Sequence, residues 1–265
     1  MLRFEVGTRG SALALRQTEQ VVSKLRRLHP EAAFNIKTIR TEGDRASTVP
    51  LARLGGQGLF IKELEAALLR GEIHLAVHSL KDVPTEPTAG LVLGAVLRRA
   101  DARDALVSRW KCPLAQLPTD ARLGTSSPRR AAQLKAFRND FQIVPLRGNV
   151  DTKLAKAGTG EYDGIILAAA GLGRLDLSDR ITECISPKVC LPAVGQGAVT
   201  IEWRAGDDKV APLVSRLNHI PSWQAIAAER AFLRGLGGGC QMPIAALALV
   251  DDGAIRITGM VAAED

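Results

Sequence analysis

With 265 residues, 46% of them hydrophobic and 24% charged, the chain has the composition of globular protein and the length for one large or two medium cores. Nowhere do 18 apolar residues run together, and the opening stretch MLRFEVGTRGSALALRQ lacks the apolar segment and cleavage site of a secretory signal, so a cytoplasmic address without a membrane partner is expected. The formal charge of +7 calls for an anion, yet one Tyr, three Trp and six Phe offer little for base stacking and no nucleic-acid motif is present, so the expected partner is a small polyanion.

Leu2 to Val6 reads as a strand, and after GTRGS a helix is expected from Ala12 to His29 with Ser11 as its cap. FNIKTIR (34–40) is a second strand; LFIKELEAALLRG (59–71) has the helical period, with Leu64 and Leu68 on one side and Gly71 as the stop. IHLAVHS (73–79) follows as a buried strand. Strands alternating with helices predict parallel βαβ units. The order then recurs: RLGTSSPRRAAQL (122–134) is again strand, turn and helix, and GEYDGIILAAAG (160–171) answers GEIHLAVHS. Two α/β lobes are expected. GLVLGAV (90–96) and VCLPAVGQGAVTIE (189–202) stand where the chain would cross between them, and a central cleft is the natural site. Beyond Pro221 a helix leads through a glycine run into IAALALVDDGAIRITGMV, an alternating hairpin with a D-D-G turn.

GTSSPRR carries the strongest local signal. Ser127 can cap, Pro128 suits the first helical turn, and Arg129 and Arg130 lie beside a helix N-terminus that already favours an anion. GTRGS repeats the device with Arg9 and Ser11, and PLRGN places Arg147 at a strand end. Guanidinium forks bind carboxylate or phosphate through two bonds, although arginines at helix starts also serve as surface ion pairs. HSLKDVP leaves Lys81 and Asp82 at the C-terminal end of a buried strand, where α/β folds hold ligands. Asp82 could act as acid, base or cation stabiliser; the alternative is a solvated turn. His74 and His78, four apart on a strand, span roughly 13 Å and cannot share a metal ion, so none is expected. Cys112, Cys184, Cys190 and Cys240 form no C-x-x-C pair and read as free thiols. In LRGLGGGCQMPIA the glycine run must form a loop; it either presents the Cys240 thiol or leaves it a small buried side chain.

Taken together, GTRGSALALRQ, GGQGLFIKELEAALLRGEIHLAVHSLKDVP, GTSSPRRAAQL, LRGNVDTKL, DGIILAAAGLGRL, LPAVGQGAV and AAERAFLRGLGGGCQMPIAA resemble the porphobilinogen deaminase (hydroxymethylbilane synthase) family over nearly the whole chain. The resemblance implies a cytoplasmic, monomeric transferase of tetrapyrrole and haem biosynthesis. It would join porphobilinogen head to tail into hydroxymethylbilane, releasing ammonia at each addition. It also implies a dipyrromethane cofactor in thioether linkage to Cys240, and Asp82 as the catalytic carboxylate that holds pyrrole N–H groups and stabilises the ring cation. A chain of up to six pyrroles accumulates about a dozen carboxylate charges. Arg9, Ser11, Arg129, Arg130 and Arg147 are then expected to bind them, with Lys81, Ser127, Lys153, Arg174 and Gln196 in support.

The implied fold class is α/β: two periplasmic-binding-protein-like (type II) lobes with a central cleft and a small, apparently truncated α+β C-terminal domain. Domain 1 is expected at 1–97 with 198–217, domain 2 at 103–192 and domain 3 at 220–265. The family's third domain usually runs on for several tens of residues past MVAAED, so a short third domain is expected. Gln57 stands where the family commonly has lysine, Lys153 where arginine is usual, and Ala12 where proline is common. Two rival readings keep the two-lobe fold without the reaction: a solute-binding module for small anions, and a truncated, inactive relative.

Overall fold

The computed structural model describes residues 2–41, 61–238 and 242–263. In chain order these give β1 (Leu2–Thr8), α1 (Ala12–Leu28), β2 (Ala32–Thr38), α2 (Lys62–Leu69), β3 (Leu75–Ser79) and β4 (Leu91–Val96). Then come β5 (Asp104–Ser108), β6 (Arg122–Gly124), α3 (Pro128–Phe137), β7 (Gln142–Val144), α4 (Val150–Ala157), β8 (Gly164–Ala168), α5 (Ala169–Arg174) and β9 (Glu183–Cys184). The last elements are β10 (Val199–Arg204), α6 (Val210–Ser215), α7 (Ile220–Gly235), β11 (Ile244–Asp251) and β12 (Ala254–Val261). Two units result, Met1–Arg99 with Ala198–Ala227 and Ala100–Gly197 with Ala228–Asp265.

In the first unit the strand order is β2-β1-β3-β10-β4, with β10 antiparallel to both neighbours and β1 parallel to β2 and β3. Alternation along the strands sends side chains to two cores. Phe4, Val6, Val77 and Ile201 pack with Val21, Val22 and Leu25 of α1, while Ile73 and Ala76 pack with Leu64 and Leu68 of α2. The α1 start follows its sequence signal, Ser11 Oγ accepting from Ala14 N at 3.3 Å. β2 begins two residues before the predicted 34, because Leu2 to Thr8 of β1 pair in register with Ala32 to Thr38.

The second unit repeats the order as β7-β6-β8-β5-β9, with β5 as the antiparallel strand. Here too each strand feeds two cores: Leu106 and Ile166 join Leu134 and Phe141, whereas Val107, Ile165 and Leu167 join Leu154 and Leu172. In each sheet the strand antiparallel to its neighbours is the first one after the chain passes from one unit to the other, β5 on entering the second and β10 on returning to the first. β4 itself stays at the edge of the first sheet, and the crossing follows it.

By their contacts, residues 228–265 group with the second unit. Glu229, fully buried on α7, accepts from Gly195 N with one oxygen and from Ala248 N of β11 with the other, each at 2.8 Å. Val194 packs with Leu233, Ile244 and Ala246 around this bridge. β11 and β12 form the predicted hairpin. Asp251 pairs with Ala254 across a two-residue turn in which Asp252 and Gly253 have φ of 44° and 78°, the left-handed pair such turns require. Among the described residues no helix is long and apolar enough to cross a membrane.

Candidate active site

In the first unit, two strand ends meet. β1 runs out at Thr8, delivering Arg9 and the capping Ser11; β3 runs out at Ser79 into a single 3-10 turn, Leu80–Asp82, closed by Val83 N donating to Leu80 O at 3.0 Å. Leu80 is buried with Val96, Ala198 and Ile226, and its N–H donates to Ala198 O at 3.1 Å. That anchor fixes the turn and leaves Lys81 and Asp82 half-buried at its rim. Arg9, Ser11, Gln17, His78, Ser79 and Asp82 line one pocket of about 60 Å³. The structure thus brings Asp82 together with Arg9 and Ser11.

Two further polar side chains, given no role by the sequence, shape this wall. Gln17, buried on α1, donates from Nε2 to Ser79 Oγ at 2.9 Å and ties the helix to the end of β3. His78 meets Glu202 of β10, Nε2 to Oε2, at 3.0 Å, with both side chains almost wholly buried. Nearby Glu65 is pushed above the usual carboxylate range, first by burial and then by the Glu202 charge. His74 instead accepts at Nδ1 from Glu5 N at 3.0 Å. Among the described residues no three His, Cys, Asp or Glu side chains are grouped to hold a metal ion.

In the second unit β6 leads to Ser127, whose Oγ caps α3 by accepting from Arg130 N at 3.5 Å, with Pro128 in the first turn. Arg129 and Arg130, expected to face a free anion, are both buried, and their guanidiniums converge on Asp104 at the start of β5. Arg130 donates to Asp104 Oδ1 from Nε at 3.0 Å and Nη2 at 2.6 Å; Arg129 Nη1 donates to Oδ2 at 2.8 Å. Gln196 Nε2 adds a bond to Oδ1 at 2.9 Å, and the Cys190 thiol one to Oδ2 at 3.3 Å. Burial alone would raise the Asp104 pKa, but the two guanidiniums outweigh it and hold the carboxyl far below the usual range. One negative and two positive charges leave the triad at net +1. Asp104 had a sequence signal: a charged residue opening the otherwise apolar strand DALVS, with two arginines elsewhere in need of a counter-charge.

The remaining candidates lie on other elements of the same unit. Arg147 is half-buried before Gly148 and Asn149; Asn149 Oδ1 caps α4 by accepting from Thr152 N at 2.8 Å, and Lys153 sits half-buried on that helix. Arg174 closes α5 and donates from Nη2 to Gly197 O at 2.7 Å.

Cys240 and Gln57 lie outside the described residues. Of the glycine run, Gly237 has φ of 63°, and a Cβ on Gly238 would stand 2.4 Å from Ile244 Cδ1 and 2.8 Å from Leu233 Cδ1. Both glycines therefore meet a local need, a left-handed turn and a close approach, besides any role in presenting a thiol. Of the other cysteines, Cys190 is fully buried, and its thiol is pushed up to about 12 by burial and by the Asp104 charge.

The family model described as the porphobilinogen deaminase dipyromethane cofactor binding domain matches residues 4–212, and that of the porphobilinogen deaminase C-terminal domain matches 223–265. The chain is similar to curated porphobilinogen deaminases from Geobacillus kaustophilus, at 50% identity over 100% of this chain and 86% of the relative, and from Thermus thermophilus, at 51% over 98% and 85%. A solved lipoprotein of the YaeC family from Enterococcus faecalis aligns at TM-score 0.49 and 13% identity, covering 87% of this chain and 97% of its own.

Proposed function

The chain belongs to the porphobilinogen deaminase family, and from that membership we propose that it condenses porphobilinogen head to tail into hydroxymethylbilane, releasing ammonia at each addition. The observation that carries this reading to chemistry is the convergence of Asp82, Arg9 and Ser11 on one pocket. Porphobilinogen is a dicarboxylate with a pyrrole N–H and an amine to lose. Arg9 and Ser11 supply donors for its carboxylates, and Asp82 accepts the pyrrole N–H and stabilises the positive charge that grows on the ring as ammonia departs. Held at the end of an anchored turn, that carboxylate needs no rearrangement when the charge appears.

In the second unit Arg147 and Lys153 bind further carboxylates. Arg129 and Arg130 act as part of the net +1 triad, their forks fixed by Asp104, with Ser127, Lys81, Arg174 and Gln196 in support. The same donor set suits a dipyrromethane cofactor, which carries acetate and propionate groups of its own; when bound, it supplies the pyrrole carbon from which the product chain is extended. Cys240 is its attachment point. A thioether anchor needs a thiol that ionises and that a bulky group can reach, and Cys190 satisfies neither condition. The protein acts in the cytoplasm as a monomer on a small-molecule substrate, with no nucleic-acid or membrane partner.

Intact mass tests the proposal, read on the native chain and on Cys240→Ser before and after incubation with porphobilinogen. The expected result is an excess of two deaminated pyrrole units on the native chain alone, extended stepwise by substrate. A bare mass that substrate never changes would instead favour the solute-binding or inactive reading.

A further inference from the structure

Within the first unit, at the opposite end of α1 from Ser11, lies a cavity of about 530 Å³ that none of the residues assigned above lines. Its size falls in the range of small-molecule sites, ~300–1,000 Å³. Four permanent cations face it: Lys24 and Arg27 from the last turns of α1, Arg98 just after β4, and Arg216 just after α6. No acidic side chain among the described residues lines the cavity or pairs with any of the four. The C-terminal dipole of α1 accounts for basic residues in that helix, but not for Arg98 and Arg216, which come from other elements. Like charges gathered without counter-charges repel one another and concentrate anions.

The wall behind them is fixed and offers directed donors. His219 N donates to Val96 O at 2.8 Å, and Asn218 Oδ1 accepts from Val96 N at 3.0 Å, so both residues are bolted to the end of β4. Ser222 N donates to His219 Nδ1 at 3.3 Å, which places the proton of the neutral ring on Nε2 as a donor. Burial, and then the charge of Arg98, lower the imidazole pKa and keep the ring in that form. Leu28, Leu97 and Leu217 supply an apolar floor.

We propose that this cavity is a second anion-binding site, which takes a small organic ligand with an apolar body and two or more phosphate or carboxylate oxygens. The body lies over the leucines and the anionic groups meet Lys24, Arg27, Arg98 and Arg216. The site stands independently of the reaction assigned to Asp82.

Calorimetric titration of the full chain with naphthyl phosphate, pyromellitate and inorganic phosphate tests it. The comparison is with Arg98→Ala/Arg216→Ala, which removes two exposed side chains that hold no other element in place, and with Arg9→Ala. One ligand per chain is expected for at least one of the two organic probes, weakened about tenfold or more in the double variant and unchanged in Arg9→Ala. Whichever organic probe binds more tightly names the preferred anionic group, and weaker binding of inorganic phosphate supports the apolar floor. Absence of saturable binding by both organic probes, equal affinity in the double variant, or loss of the ligand in Arg9→Ala would overturn the proposal.

Discussion

Asp82 and Asp104 are carboxylates at strand ends, one half-buried at a pocket and the other wholly buried beneath two guanidiniums, and their substitutions separate chemistry from architecture. Asp82→Asn keeps a hydrogen-bonding side chain and removes the charge, so kcat is expected to fall about 10²–10⁴-fold with KM little changed, read in steady-state turnover of porphobilinogen. Near-normal turnover would remove Asp82 from the reaction. Asp104→Asn leaves two buried guanidiniums without their counter-charge, and should cost roughly 3–5 kcal/mol in urea unfolding at neutral pH. Its pH dependence has a definite sign. An unfolded aspartate titrates at about 3.9, whereas Asp104 in the native chain titrates far lower, so between those two values the unfolded state binds the extra proton. The stability contributed by the charge is complete above the unfolded value and is lost as pH falls toward the native one. The gap between native protein and variant should therefore hold steady from about pH 8 to about pH 5 and narrow below about pH 4. A gap that widened on acidification would contradict the triad.

At the scale of elements, Glu229 joins three segments: α7, the loop at Gly195 and strand β11. Glu229→Ala would leave two buried N–H groups unpaired, at about 1–3 kcal/mol each. The Ala248 amide should then exchange with solvent much faster, while amides of β1 and β3 in the first unit stay protected; unchanged exchange at Ala248 would show that apolar packing alone seats the hairpin. Elements with local instructions were legible in the sequence. Ser11 and the apolar period set α1, the D-D-G turn set the hairpin, and the repeated strand, turn and helix predicted two similar sheets. What escaped depends on residues far apart in the chain. Asp104 lies 25 and 26 positions from the arginines it holds, Gln17 lies 62 from Ser79, and nothing in one segment announces the other. Glu229 likewise reads locally as an ordinary helix-surface charge, although it holds the loop at Gly195 and strand β11. The grouping of Arg9, Ser11 and Asp82 on one pocket was legible because each side chain sits at or just past a strand end. GTSSPRR reads in the sequence as an anion cradle, and the anion that the structure places there is the internal carboxylate of Asp104, which a helix N-terminus attracts as readily as a ligand.

For the molecule as a whole, the charge of +7 is divided among different tasks. Arg129 and Arg130 are tied to Asp104, Arg138 to Asp140 at 2.5 Å, and Arg103 to Asp101 at 2.6 Å, while Arg9, Arg147 and Lys153 are half-buried at the proposed carboxylate contacts. A substrate recognised by such cations is screened by salt, the Debye length shrinking from about 10 Å at 0.1 M to about 3 Å at 1 M. KM for porphobilinogen is accordingly expected to rise with ionic strength while kcat changes little. Lys153 refines the test, because its ammonium offers a point charge where a guanidinium would offer a planar pair of donors. Lys153→Arg keeps the charge and adds a second directed hydrogen bond, which should lower KM about two- to tenfold, the worth of one further bond. Salt should raise KM in both proteins in parallel, because the charge is the same and only the geometry differs. An unchanged KM in Lys153→Arg, with the salt dependence intact, would mean that the helix α4 side chain contributes field without touching the substrate carboxylate. The bidentate contacts would then belong to Arg9 and Arg147.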